Sequence, residues 1–185
     1  MSCFPMCVEL AGKRMILVGK GPQTEKKRET LLPFGAEIYW VDMLTAEDLE
    51  PRPAFVVVGD LTDEQARHCS ALCMERGIPV NVVDQPQLCS FFFPALIRRG
   101  ELTVSVSAGG TNPAAAAWLR GEIEHLLPER TEEILEWLGD MRLTLKAAYP
   151  AARRRTILKE MTSCAFGLQR PLTEEECDRI LKGLE

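Results

Sequence analysis

Short apolar runs alternate with segments of helical spacing through the first two-thirds of the chain. Arg14–Gly19, "RMILVG", is a compact apolar run bounded by a glycine, as a buried strand requires. Glu37–Asp42 "EIYWVD", Ala54–Asp60 "AFVVVGD", Ile78–Asp84 "IPVNVVD" and Leu102–Gly110 "LTVSVSAGG" predict four further strands. Between them lie helical segments. Pro22–Phe34 ends at Gly35, and 62–77 has Thr62 as its cap and Gly77 past its end. In 112–127, Pro113 sits just inside the helix start, where its missing N–H costs nothing. Strands alternating with helices predict a parallel sheet covered on both faces, an α/β Rossmann-like architecture.

Beyond Pro128 the strand pattern stops. Ile134, Leu138, Met141 and Leu145 recur at spacings of four, three and four, one stripe of a helix. "RRRTILKEM" predicts a further helix. "LTEEECDRILKGL" predicts another, with Thr173 and Glu176 as a capping box and Leu172 as its staple. This helical module, about 129–185 with a joint around Pro150, is too small to hide its stripes alone. It is expected to pack on the sheet domain or on another chain. The expected division is 1–112 as a nucleotide-binding domain, 113–146 as a dimerisation segment and 147–185 as a helical tail.

Composition changes little in this picture. With 185 residues, 46% hydrophobic and 26% charged, the chain is globular and long enough to bury a core. A net charge of −5 argues against a general nucleic-acid binder. No apolar run approaches the ~20 residues of a membrane span, and the N-terminus lacks a signal-peptide pattern, so the cytoplasm is the expected location. Seven cysteines without C-x-x-C spacing favour small buried side chains over zinc ligands, and this includes Cys69 and Cys73 beside His68. His125 and His68 stand apart, so neither makes a metal or acid–base centre, and no metal site is expected. The Phe91–Phe93 run reads as core rather than as a stacking platform.

The candidate chemistry begins at "VGKGPQT". Gly19-x-Gly21-x-x-Thr24 matches G-x-G-x-x-G/A with one substitution. Gly19 would form the tight turn, and Gly21 would let the backbone approach a pyrophosphate at the helix N-terminus. Lys20 would add positive charge near the phosphates, Pro22 removes one donor, and Thr24 should push helix and strand slightly apart. Asp42 follows Gly21 by 21 residues, where a carboxylate binds ribose hydroxyls and disfavours a 2′-phosphate. A plain strand–turn–helix would look similar.

A second constellation runs from Val80 to Pro128. Asn81–Asp84 "NVVD", Pro86, Ser90–Phe91, Pro94, Ser107–Gly110 "SAGG", Pro113, Leu119–Arg120 and Glu122 follow in order. This pattern resembles the siroheme synthase dehydrogenase family, the precorrin-2 dehydrogenases, some of which are also sirohydrochlorin ferrochelatases. The resemblance covers about Phe4 to Pro128; the helical tail matches only in type and is shorter. It implies NAD-dependent oxidation of precorrin-2 to sirohydrochlorin, with metal insertion as a further activity. It places the family's catalytic aspartate on Asp84, which the residues alone would equally allow as a turn-initiating Asp before Gln85-Pro86.

The same resemblance puts NAD on Gly19, Lys20, Gly21, Pro22 and Gln23, and on Asp42, Met43 and Leu44 at the end of the second strand. The tetrapyrrole, an anion with eight carboxylates, is expected at Ser107, Gly109, Gly110, Arg98 and Arg120, with Arg99 a further candidate. Free N–H groups at the Gly109–Gly110 turn suit an anion. Some relatives carry a second serine where this chain has Ala108. A homodimer is implied, with the active site between nucleotide domain and partner. A chelatase without hydride transfer, or a non-catalytic tetrapyrrole- or nucleotide-binding relative, remains the alternative.

Overall fold

The computed structural model describes residues 3–183. Its strands and helices run in the order β1 (Arg14–Val18), α1 (Pro22–Leu31), β2 (Glu37–Val41), β3 (Val56–Val58), α2 (Asp63–Glu75), β4 (Val80–Val82), β5 (Ala95–Arg99), β6 (Leu102–Val106), α3 (Pro113–Leu126), α4 (Thr131–Ala148), α5 (Ala151–Leu168) and α6 (Glu174–Gly183). Two compact units result. One is Pro5–Phe93; the other holds the described chain from Pro94 onward.

The first unit is a parallel four-stranded sheet in the order β2-β1-β3-β4. β1, β3 and β4 are buried on both faces, as a sheet covered on both sides requires, whereas the edge strand β2 exposes Glu37 and Tyr39. Ile16, Val18, Val56, Val58, Val80 and Val82 point one way, onto Ala66, Cys69 and Cys73 of α2 and onto Leu44 and Leu49. Met15, Leu17 and Val57 point the other way, with Leu10, Leu31 and Phe55. Phe91 and Phe93 close this second layer against Phe55, with ring centroids 4.9 and 6.3 Å away. Two of the three phenylalanines of the run are therefore core; Phe92 is exposed.

Helix α2 begins as its sequence signals: Thr62 and Gln65 form a reciprocal capping box. Both of its cysteines are fully buried, and burial pushes the Cys73 thiol up to about 12, so it behaves as a small apolar side chain. Past β4 the chain runs back along the outer edge of that strand. Val80 N donates to Ser90 Oγ at 2.8 Å, Ser90 N donates to the Val80 carbonyl at 2.8 Å, and Asn81 Nδ2 donates to the Phe91 carbonyl at 3.0 Å. Asn81, Ser90 and Phe91 thus blunt an edge that would otherwise be open, and in doing so fix where β4 ends.

In the second unit the structure departs from the expected single sheet. β6 does not extend the parallel sheet. It pairs antiparallel with β5, a strand that the pattern did not predict. Only Gly100 and Glu101 separate the two, and so short a link permits a hairpin but not the crossover that parallel strands need. Gly100 takes φ +56 in that turn. The strict alternation of Leu102, Val104 and Val106 with exposed Thr103 and Ser105 fits a strand covered on one face only. The chain accordingly divides at Phe93/Pro94, before this hairpin, whereas the expected division lay at residue 112.

The helical stripe predicted from spacing is present. Ile134 and Leu145 of α4 are buried with Ile157, Met161 and Ala165 of α5 and with Leu172, and Leu138 and Met141 pack against them. Pro150 stands immediately before α5, where it breaks the helical run. The second capping box also forms: Glu176 N donates to Thr173 Oγ1 at 3.3 Å, and Thr173 N donates to Glu176 Oε2 at 2.8 Å. No described helix is long and apolar enough to cross a membrane.

Candidate active site

The C-terminal ends of β1, β3 and β4 and the N-terminal ends of α1 and α2 meet at one edge of the parallel sheet. A cleft of about 330 Å³ opens there, lined among others by Gln23, Gly59, Asp60, Asp63, Asp84 and Gln85. The carboxyl edge of an open parallel sheet, where crossovers diverge to opposite faces, is the general position for ligands in such folds.

The glycine turn adjoins this cleft rather than lining it: Gln23 of α1 reaches the cleft, and Asp60, which lines it, lies against Gly21. Gly19 takes φ +87, and its N–H donates to the Val41 carbonyl at 2.9 Å while its carbonyl accepts Trp40 Nε1 at 2.6 Å. A Cβ at residue 19 would lie 2.0 Å from the Gly59 carbonyl oxygen, so no side chain fits. Gly21 is extended, and a Cβ there would strike the Asp60 side chain at 2.4 Å. Pro22 opens α1, as its position in the sequence predicts. Beyond the turn, Lys20 Nζ lies 2.9 Å from Asp42 Oδ1, and both side chains are largely in solvent. Asp42 follows the last residue of β2. Met43 packs on the core with its sulfur 3.8 Å from that of Cys69, and Leu44 is 1% exposed. Of those two residues, then, backbone rather than side chain is what a ligand could meet.

Thr24 does not act as the wedge expected of it. Its side chain is fully buried, its Oγ1 donates to Asp60 Oδ2 at 2.7 Å, and its backbone N–H donates to the same oxygen at 2.9 Å. The extra atoms fit because the residue they face on β3's exit is itself Gly59, at which a Cβ would lie 3.0 Å from Thr24 Oγ1. The hydrogen bond from the Thr24 hydroxyl holds the Asp60 carboxyl below the usual carboxylate range. Asp60 was not singled out by motif. The signal for it is an acidic residue directly after "VVVG", at the strand end that faces a helix N-terminus.

Asp84 follows β4 in the left-handed region, φ +60, a conformation that Asp tolerates better than most side chains. Its Oδ2 accepts Gln23 Nε2 at 2.9 Å. One turn along α1 from Gln23, Lys27 lies with its ammonium 4.2 Å from the Phe93 ring centroid. Burial depresses its pKa, Lys26 adds to the effect, and the Asp84 carboxylate partly opposes it. Lys27 is a second group that sequence spacing did not mark. Gln85 Nε2 donates to Asp63 Oδ1 at 3.0 Å, which ties the residue after Asp84 to the start of α2.

The expected substrate-binding residues all belong to the other unit. Arg98 is exposed on β5. Arg99 and Arg120 converge on Glu124, at 3.2 and 3.5 Å. Ser107 Oγ accepts the Gly109 N–H at 3.3 Å, and Gly109 and Gly110 take φ +62 and +75. Asn112 caps α3, accepting the Ala115 N–H at 3.0 Å, which engages one of the helix-terminal donors expected to serve an anion. Among the described residues no group of three or more His, Cys, Asp or Glu is arranged to hold a metal ion.

Residues 42–95 match a family described as putative NAD(P)-binding. The siroheme synthase of Thioalkalivibrio sulfidiphilus is 34% identical over 94% of this chain and 39% of its own length. That of Gluconobacter oxydans is 35% identical over 82% of this chain and 37% of its own length. The chain therefore spans about two-fifths of these curated relatives. The solved structure of SirC, precorrin-2 dehydrogenase, superposes with a TM-score of 0.68 over 98% of both chains at 17% identity, which shows a shared fold.

Proposed function

This chain belongs to the siroheme synthase family, and we propose that it is an NAD-dependent dehydrogenase oxidising precorrin-2 to sirohydrochlorin. The observation that carries the proposal is the Gln23–Asp84 contact: an exposed-edge carboxylate is oriented by the helix that opens the glycine turn. Names of relatives support the same substrate, since SirC is a precorrin-2 dehydrogenase.

The residues fit a dinucleotide. Gly19 makes the tight turn against the Gly59 carbonyl, Gly21 leaves room that only the movable Asp60 side chain fills, and the α1 N-terminus supplies a positive dipole end. Asp42 suits the ribose hydroxyls, which favours NAD over NADP. When bound, NAD⁺ accepts a hydride. The dehydrogenation releases one proton as well, and Asp84 takes it, so two hydrogens leave the macrocycle and both are accounted for. Gln23 holds the Asp84 carboxylate in place, and Lys27 supplies nearby positive charge.

In the second unit Ser107, the Gly109–Gly110 turn, Arg98 and Arg120 contribute to holding the carboxylates of the macrocycle. Segment 113–146 contributes to a homodimer; Trp118, Leu119, Leu126 and Leu143 expose large apolar side chains on α3 and α4, which suits that role. Metal insertion into sirohydrochlorin is a second reading, favoured by the same carboxylate, which could equally take pyrrole protons. The decisive experiment supplies precorrin-2 and NAD⁺ to the chain and follows NADH and sirohydrochlorin absorbance together. Their joint appearance is expected; binding of both ligands without turnover would leave a binding protein.

A further inference from the structure

The glycine turn has an occupant. Gly21 clears a space above the start of α1, and what fills that space is the Asp60 side chain: a Cβ at residue 21 would lie 2.4 Å from its Cγ and 2.6 Å from its Oδ1. The same carboxylate accepts the Thr24 N–H and the Thr24 hydroxyl through Oδ2, at 2.9 and 2.7 Å. Three independent features therefore converge on one carboxylate: the bare Cα, an unpaired helix-terminal N–H and a buried hydroxyl. Pro22 has no N–H, and Glu25 N already donates to the Gly21 carbonyl at 3.0 Å, so the donors at this turn are few and Asp60 takes one of them. Asp60 holds this place from a left-handed backbone, φ +54. Its carboxyl stays ionised well below neutral pH, since the Thr24 hydrogen bond favours the charged form.

We propose that Asp60 sets the affinity of the nucleotide turn by occupying the α1 N-terminus in place of a pyrophosphate, so that a dinucleotide binds only as this carboxylate swings aside. The inference rests on the nucleotide-binding role proposed above and deepens it. Two anions cannot share the same few donors, and like charges within a hydrogen bond's length repel strongly. Asp60 is exposed apart from these contacts, so it is free to rotate toward solvent. The helix end is thus capped in the free protein and its cap is exchanged for the ligand.

The test compares the unmodified chain with Asp60→Asn by titrating NAD⁺ and, separately, adenosine. Asparagine keeps the shape, tolerates the left-handed backbone and still accepts from Thr24, but carries no charge. NAD⁺ should bind Asp60→Asn about tenfold or more tightly, ~1.4 kcal/mol, while adenosine, which has no phosphate, binds both proteins alike. Equal or weaker NAD⁺ binding by the variant overturns the inference and leaves the nucleotide-binding role standing. Equal tightening for adenosine also overturns it, because the effect would not lie at the phosphates. If neither protein binds NAD⁺, the nucleotide-binding role itself fails and the inference with it. Asp60→Ser, which retains an acceptor oxygen, gives the same comparison should the asparagine variant not fold.

Discussion

The side-chain amide of Gln23 donates to the Asp84 carboxylate at 2.9 Å, joining the first turn of α1 to a residue two positions past the end of β4. The catalytic candidate is thereby held by the element that opens the nucleotide turn. Removing the proton acceptor while keeping the shape, as Asp84→Asn does, should lower precorrin-2 turnover by ~10²–10⁴-fold and leave NAD⁺ affinity nearly intact. Gln23→Ala should lower turnover less, since the carboxylate remains and only its orientation is lost. Steady-state rates beside an NAD⁺ titration check both; parallel loss of turnover and NAD⁺ binding in Asp84→Asn would refute the assignment.

Gly19 and Gly21 should behave differently. Gly19→Ala places a methyl against rigid backbone, the Gly59 carbonyl, at a left-handed φ. It should destabilise the fold by more than ~2 kcal/mol. Gly21→Ala meets only the movable Asp60 side chain, so the protein should fold with a smaller loss while NAD⁺ binding weakens. Denaturant melts of the two variants distinguish backbone from side-chain obstruction.

The exposed Lys20–Asp42 pair offers a cofactor test. Such a pair contributes only ~0–1 kcal/mol to stability, so Lys20→Ala should melt close to the unmodified chain. It should, however, widen the preference for NAD⁺ over NADP⁺, because an unpaired Asp42 carboxylate repels a 2′-phosphate more strongly. Asp42→Asn should narrow the preference. Paired titrations with the two cofactors decide the matter, and a ratio that neither variant moves removes Asp42 from the ribose site.

In the helical unit, Arg170 donates two hydrogen bonds to Glu176, each 2.9 Å, and holds its carboxyl down to about 2 from an ordinary 4.5. A depressed carboxyl stabilises the folded form above its unfolded pKa, and that contribution is lost as pH falls from about 4.5 toward 2. Arg170→Ala should therefore flatten the acid side of the stability profile and leave its slope near neutral pH unchanged. Melting temperature followed across pH 2–7 by circular dichroism measures this.

How far the sequence foretells the structure depends on whether a feature is local. Caps at Thr62 and Thr173, the stripe through Ile134 and Leu145, and the four parallel strands were legible because each follows from spacing within one element. β5 was not, because "ALIRR" ends in two arginines and its partner strand lies across a two-residue turn. Asp60 and Lys27 escaped for a different reason. Their significance comes from what faces them, Thr24 in one case and Phe93 with Asp84 in the other, and linear distance conceals such neighbours.

The Thr24–Gly59 contact has a consequence for recognising relatives. The third small residue of the nucleotide turn is usually sought on the helix, yet here the helix bears Thr24 and the opposing strand exit bears Gly59. Closeness is a property of the couple, and either member can be the small one. A scan that scores the helix alone will discard chains in which the allowance has migrated across the crevice. Covariation between positions 24 and 59 would be the signature that retains them, and a bulky residue at both would mark a turn that has closed.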